Sequence, residues 1–533
     1  MEFDYIVIGG GSAGCVLARR LSDDGASRVC LLEAGPPDDH VLCRVPLGAA
    51  AFVPTKWRNW GFETEPQPGL GGRRGYQPRG RMLGGSSGIN AMIYMRGHPS
   101  DYDDWAREHG AAGWAWCDVL PYFRRAEANE TQADAALHGH DGPLNVADLA
   151  SPHRISETFL QACDTLQIPR NRDFNGPVQD GAGYYQVTQK GGERWSAARA
   201  YLPPEVRARH NLRIETNARV QRILLAGRRA VGVAWRRGRR EESLRASRGV
   251  VLCAGALQSP QLLMLSGIGD GAALMQHGIP VLHERPGVGR NLQDHVDFIL
   301  LAKIDDATLP GVSAATGPLL LREIRRWRQE RKGLLTSNYA EAGAFLRSDP
   351  AEPRPDLQYH FVIALVDDHA RRTHLGHGYS LHTCVLRPKS RGTVGLKGAD
   401  PMLPPKIDPQ FFSHPDDLER LVKGVRLGRR ILQAAPFAAL GPREIYLQGE
   451  VDDAALRSHI CSRADTIYHP VGTCRMGAAN DAQAVVDPQL RVIGMEGLWV
   501  ADASVMPTLI GGNTNAPTIM IAERAAEMIR GAG

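Results

Sequence analysis

The segment Phe3-Asp4-Tyr5-Ile6-Val7-Ile8-Gly9-Gly10-Gly11-Ser12-Ala13-Gly14, followed by Val29-Cys30-Leu31-Leu32-Glu33, restricts the fold more than any other part of the chain. It reads as an apolar strand, a glycine turn, a helix start and a second strand ending in a carboxylate. Gly9 permits the tight turn. Gly11 lets backbone N–H groups approach a pyrophosphate, with Ser12 and Ala13 opening the helix, and Gly14 lets that helix pack close to the strand. The helix N-terminus supplies partial positive charge for phosphates. Glu33 stands 19 residues after Gly14, where a carboxylate accepts ribose hydroxyls. It would repel a 2′-phosphate, so FAD or NAD is favoured over NADP.

A chain of 533 residues exceeds one compact core, and two or more domains are expected. A formal net charge of +5 is small for this length and does not point to nucleic acid. The nine cysteines are scattered without CxxC or zinc spacing, which predicts reduced thiols, no metal site and a cytoplasmic setting. No basic segment followed by an apolar run suggests a secretory signal. No apolar run approaches the ~20 residues that span a bilayer.

After the first unit, residues 35–80 are rich in Pro and Gly and read as mostly irregular. Residues 80–93, Gly80-Arg81-Met82-Leu83-Gly84-Gly85-Ser86-Ser87-Gly88-Ile89-Asn90-Ala91-Met92-Ile93, read as a helix start where small residues favour close approach to a ligand. Residues 211–255 alternate apolar and polar and predict antiparallel strands, except that Val250-Val251-Leu252-Cys253-Ala254-Gly255 reads as a buried parallel strand returning to the nucleotide sheet. Residues 259–266 predict a helix. The stretch from about Leu300 to Cys461 has a different texture and predicts a second domain. The last seventy residues return to a strand at Leu498-Trp499-Val500-Ala501-Asp502 and a helix from about Ala516 to Arg530. The expectation is an α/β protein: a Rossmann-like nucleotide domain from residues 1–155, 195–300 and 462–533, and a second α+β domain on an antiparallel sheet from residues 156–194 and 301–461. A nucleotide domain assembled from separated stretches favours FAD over NAD.

Two C-terminal segments carry the chemistry. One is Tyr468-His469-Pro470-Val471-Gly472-Thr473; the other runs from Asp502-Ala503-Ser504 to Gly511-Gly512-Asn513-Thr514-Asn515-Ala516-Pro517. Alcohol oxidation by a flavin needs a base for the hydroxyl proton and a clear path for hydride. Neutral histidine suits the base, because its ordinary pKa of ~6.5 lies near working pH. Asn513 offers an amide NH₂ to the substrate oxygen. Asn515 reads as an N-cap and Pro517 as a first-turn residue of a helix whose N-terminus stabilises negative charge on a reduced flavin.

These blocks, together with Gly255-Ala256-Leu257-Gln258-Ser259-Pro260 and Ser266-Gly267-Ile268-Gly269, make the chain resemble the glucose–methanol–choline (GMC) flavoprotein oxidoreductases over nearly its whole length. Arg96-Gly97-His98, Asp173-Phe174-Asn175-Gly176, Tyr185-Gln186-Val187-Thr188-Gln189 and Arg194-Trp195-Ser196-Ala197-Ala198-Arg199 suggest the branch that oxidises medium-chain aliphatic alcohols with a quinone acceptor, with choline dehydrogenases also similar. The resemblance implies His469 as catalytic base and Asn513 as its partner. It places Asn90 near flavin N5, Ala91, Met92 and Ile93 against the ring, and Leu83 and Gly85 at the pyrophosphate. It sets Val220 at the adenine and Tyr468, Asp502, Ala503 and Asn515 along the flavin. Members with covalent FAD carry a histidine at or beside Ile89; its absence here predicts non-covalent FAD.

The expected reaction is oxidation of a primary alcohol to the aldehyde, with electrons passing to a quinone or to oxygen. Alternatives are choline as substrate, an oxidase, or a flavin-containing hydroxynitrile lyase. Choline would need an aromatic cage and a carboxylate, for which Trp57, Trp60 and Glu341 are candidates; packing for the tryptophans and a solvated Glu341 are the favoured readings. In residues 319–332, Leu320, Ile324 and Trp327 recur at helical spacing among six cations. A helix packed on the second domain is favoured there over peripheral contact with the inner face of an anionic membrane.

Overall fold

In the computed structural model, which describes residues 2–531, two sheets face a common cavity. Strands β1 (Glu2–Ile8), β2 (Val29–Leu32), β3 (Leu212–Glu215), β4 (Arg219–Ala226), β5 (Arg229–Arg237) and β6 (Arg240–Leu252) form the first sheet in the spatial order β3-β2-β1-β6-β5-β4; Leu498–Val500 joins the end of β6. The pairs β3–β2, β2–β1, β1–β6 and β6 with Leu498–Val500 are parallel. Val7, Ile8 and all of β2 are buried, as a sheet covered on both faces demands.

One expectation needs correction. Only β4, β5 and the first half of β6 are antiparallel; Leu212–Glu215 runs parallel to β2. Alternation over four residues reports one buried face and cannot report strand direction, which the preceding connection decides. The strand ending at Leu252 does run parallel to β1, as its apolar run implied.

The second sheet is antiparallel. Strands β7 (Val296–Ile304), β8 (Ala340–Leu346), β9 (Leu357–Val362) and β10 (Gly376–Val385) lie in the order β7-β10-β9-β8, with Gly181–Tyr184 beyond β8. Residues 465–466 still pair with β7. This sheet therefore begins before residue 301 and draws on residues beyond 461. Helix α1 (Ser12–Leu21) covers the first sheet, and α2 (Gly255–Leu265) packs on β4. Helix α3 (Thr316–Glu330) lies beside the loop at Leu334–Thr336, and α4 (Pro415–Gln433) packs on the second sheet. Helix α5 (Asn515–Gly531) returns to lie along α1.

Strand β9 shows how the second sheet serves both a core and a site. Leu357, Tyr359 and Phe361 enter the apolar core beneath α4. Their alternates Gln358, His360 and Val362 point the other way, toward the first sheet. Two apolar cores thus back two facing walls.

Candidate active site

At one end of the cavity, β1, the glycine turn and α1 build an anion cradle. Gly9 has φ +97°, and a Cβ there would lie 2.5 Å from the Cys253 carbonyl oxygen. A Cβ on Gly14 would lie 1.8 Å from the Gly9 oxygen, so only glycine lets α1 sit this close to β1. A Cβ on Gly11 would meet nothing within 4 Å and would project into the space a ligand needs. The first intrahelical bond of α1 runs from Cys15 N–H to Gly11 C=O (3.1 Å), which leaves the first-turn N–H groups directed along the axis.

Glu33 accepts N–H bonds from Gly10 (2.8 Å) and Gly35 (2.7 Å). Besides facing the cavity, it therefore braces the turn. Burial pushes its pKa up to about 7 against those two bonds, so donors arriving from a ribose would favour the carboxylate. A nucleotide cofactor thus fits on geometry alone.

At the other end, Tyr468, in the left-handed region at φ +76°, turns the chain so that His469 enters the cavity. The imidazole Nδ1 lies 2.9 Å from Nδ1 of His295, whose Nε2 lies 2.9 Å from the Leu386 carbonyl oxygen. The two rings are perpendicular. The protons follow from the partners. A carbonyl only accepts, so His295 Nε2 carries hydrogen. Burial pulls the His295 pKa down to about 3, so the ring is neutral and its Nδ1 is bare. His469 must then donate from Nδ1, which leaves its Nε2 lone pair open. Burial, followed by the neighbouring His295, His360 and Arg79, holds His469 well below the ordinary histidine pKa and keeps it a neutral base.

Asn513 Nδ2 approaches that lone pair at 3.2 Å. Gln358 donates to Asn513 Oδ1 (3.1 Å) and so fixes which end of the amide faces His469. The backbone N–H of His469 is held by Asp294 Oδ1 (2.8 Å).

A cavity of about 640 Å³ joins the two ends. Gly9, Gly11, Ser12, Ala13, Glu33, Gly85, Asn90, Ala91, Met92, Ile93, Val220, Tyr468, His469, Asp502, Ala503, Asn513 and Asn515 all line it. Three expected residues stand differently. Gly14 does not line it and serves only the close packing of α1 on β1. Leu83 does not line it: its Cδ1 lies under Gly10, so its role is to shape the turn from below. Asn515 is not an N-cap, because Thr518 N–H bonds the Thr514 carbonyl (3.1 Å); Asn515 Oδ1 instead accepts the Ser12 hydroxyl (2.7 Å), tying the N-termini of α1 and α5 together. Asp502, whose two oxygens are taken by the N–H groups of Gly255 and Ser504 and by the Ser259 hydroxyl, pins α2 to the cavity wall.

Sequence reasoning missed His295, Gln358 and His360. The strict alternation Leu357-Gln358-Tyr359-His360-Phe361-Val362 would have put Gln358 and His360 on one polar face; nothing in the spacing flagged His295.

Residues 3–297 match the N-terminal family model of the GMC oxidoreductases, and residues 388–522 match the C-terminal one. The chain is a GMC oxidoreductase. Like the rest of that family it is an FAD-dependent flavoprotein. It is 48% identical to alcohol dehydrogenase [acceptor] of Pseudomonas putida, over 99% of this chain and 95% of that one. It is 42% identical to the mitochondrial choline dehydrogenase of Homo sapiens, over 99% and 90%. Pyridoxine 4-oxidase from Mesorbium loti shares the fold with a TM-score of 0.87 and 33% identity, over 98% of both chains.

In this GMC oxidoreductase the residues considered for a choline cage are not brought together. Trp57 is 44% exposed, which also overturns the packed reading for it. Trp60 lines the cavity at its nucleotide end, between the guanidinium groups of Arg81 and Arg219. Glu341 is buried rather than solvated, and accepts from His153 N–H, Ser156 and Ser337. The expected stripe on α3 also splits. Ile324 and Trp327 pack with Val45 and Leu335, whereas Leu320 and Leu321 are 46% and 72% exposed. No helix among the described residues is long and apolar enough to cross a membrane.

Proposed function

We propose that this GMC oxidoreductase oxidises aliphatic primary alcohols to aldehydes. The observation that carries the substrate class is the cavity wall on the side of the second sheet, where Ile93, Val362, Ala364, Leu365, Val366 and Ile467 present apolar surface and the polar lining, His360, His369, Arg372, His374 and His382, includes no carboxylate. The carboxylates that line the cavity are Glu33 and Asp502, both committed to backbone N–H groups around the nucleotide turn and α2. Asp297, behind that wall, is spent on His382 at 2.6 Å. A quaternary ammonium would find no counter-charge there, while an alkyl chain gains about 0.8 kcal/mol per buried CH₂.

Bound FAD supplies the hydride acceptor at N5. Gly9, Gly11, Ser12 and Ala13 would hold its pyrophosphate, Glu33 its ribose and Val220 its adenine. Asn90 to Ile93, with Ala503 and Asn515, would flank the ring, and no histidine replaces Ile89, so attachment is non-covalent. The incoming hydroxyl displaces the first Asn513 N–H from the His469 Nε2 lone pair, which then takes the hydroxyl proton. The second N–H of Asn513 holds the alcohol oxygen, which fixes the carbon–hydrogen bond that breaks. We divide the chain into a discontinuous FAD domain and a substrate domain; the pairing of Val296–Ile304 and of residues 465–466 within the second sheet supports drawing the substrate domain slightly wider than 301–461.

Electrons then pass to a quinone-type acceptor. Leu320 and Leu321, exposed among Arg322, Arg325 and Arg328, favour peripheral contact with an anionic bilayer as the site of that exchange; failure to float with anionic liposomes at low salt would remove it.

The deciding experiment is anaerobic mixing of the yellow protein with 1-octanol, benzyl alcohol or choline. 1-Octanol should bleach the flavin band and choline should not; faster bleaching by choline overturns the substrate class. Air or a quinone analogue, added afterwards, identifies the acceptor. Cyanohydrin cleavage without bleaching would instead mark a lyase. Acid precipitation should release all flavin; a yellow pellet contradicts non-covalent binding.

A further inference from the structure

Behind the cavity wall stands an arginine without a counter-ion. Arg194 is 0% exposed. Its guanidinium donates to Asn90 Oδ1 (2.9 Å), the Ser87 carbonyl (3.2 Å) and the Pro46 carbonyl (3.1 Å), all uncharged. Among the described residues no carboxylate forms an ion pair with it. The adjacent Glu193 is taken by Arg44, Arg199 and Arg331. The groups that act on Arg194 electrostatically are Cys43 and Tyr339; burial pushes both of their pKa values up, so both are neutral at pH 7. Burial pulls Arg194 down to about 10, which leaves it cationic. Arg96, equally buried, pairs with Glu127; Arg79, which lines the cavity beside Tyr468, also lacks an ion pair among the described residues and donates to the Tyr468 carbonyl.

Position gives this charge a use. Asn90 Oδ1 also accepts Met92 N–H (3.1 Å), so the Asn90 oxygen is fully engaged behind the wall and its NH₂ is left for the cavity. Hydride transfer carries one unit of negative charge onto its acceptor, while the hydroxyl proton goes to His469. A buried charge is costly unless something compensates it, and in a low-dielectric wall it acts over several ångströms.

We propose that Arg194 is a positioning residue whose fixed positive charge, one side chain behind Asn90, favours the reduced over the oxidised flavin. This rests on the placement of the ring along Asn90 to Met92. The bland role, a tether joining three loops, makes different predictions.

The test measures the flavin's reduction equilibrium in purified holoenzyme against a dye of known potential, without alcohol or acceptor. Arg194→Gln should lower the reduced-to-oxidised ratio at fixed potential about 10- to 100-fold, or about 30–60 mV for two electrons. Arg194→Lys keeps the charge but loses the fork. At neutral pH it should match the wild type in potential despite a lower melting temperature, and its potential should fall as pH rises through the ammonium's depressed pKa. Should Arg194→Gln fail to hold FAD, that pH-dependent departure of Arg194→Lys from the wild type decides alone. Potentials unchanged in Arg194→Gln, or an Arg194→Lys offset that is flat with pH, overturn the proposal. Wild-type protein purified without flavin would overturn the underlying cofactor reading instead.

Discussion

His295 gives the most exposed point of the mechanism, because it acts only by accepting one hydrogen bond. In His295→Ala, the Nδ1–H of His469 loses its acceptor in a buried site. The other tautomer is no refuge: it would aim Nε2–H at the NH₂ of Asn513, whose oxygen Gln358 holds. Leaving a buried donor unpaired costs about 1–3 kcal/mol, and each ~1.4 kcal/mol is tenfold in rate. Flavin reduction should therefore slow about 10- to 100-fold with FAD content unchanged. His295→Asn keeps an oxygen near the position of Nδ1 and should recover part of that loss. Anaerobic stopped-flow with 1-octanol reads the effect directly. A fully flavinylated His295→Ala protein that reduces at the wild-type rate would refute the tautomer argument and leave His295 as packing.

The remaining predictions test each end of the cavity. His469→Ala should retain FAD and lose about 10²–10⁴ in reductive rate, the usual worth of a general base; an unchanged stopped-flow trace removes it from the mechanism. Glu33 should make FAD binding and apo stability respond to pH with opposite signs. Its raised pKa means that the apo fold keeps its proton up to about pH 7, so apo stability should fall as pH rises from about 4.5 toward 7. Ribose donors favour the ionised form, so FAD binding should tighten over the same window by up to about tenfold per unit; fluorescence-quenching titrations flat from pH 5 to 8 would contradict it. Gly14→Ala should lower the melting temperature sharply, because the new carbon meets backbone, whereas Gly11→Ala, with open space around it, should leave apo melting unchanged and weaken FAD retention. Equal melting for the two variants would show that the close helix–strand contact does not matter.

The chain's order along the sequence limited what could be read from it. Gly9, Gly11, Gly14 and Glu33 lie within one local unit, so turn conformation, helix packing and the carboxylate's place all follow from neighbouring residues. His469 and Asn513 came from the nature of the chemistry and from family resemblance. The direction of β3 and the capping of α5 escaped, because both depend on what a segment meets in space. Glu341 was taken as solvated for the same reason.

Sequence alone determined the dinucleotide-binding half, since the steric demands of a glycine turn against a parallel strand are local. Tertiary structure decided what the site does with it. His295 reaches His469 across 174 residues, Gln358 reaches Asn513 across 155, and Arg194 reaches Asn90 across 104. No periodicity links such positions. Only the packing of the two sheets against one cavity sets which nitrogen of His469 is bare, which end of Asn513 faces it, and where an unpaired positive charge is buried.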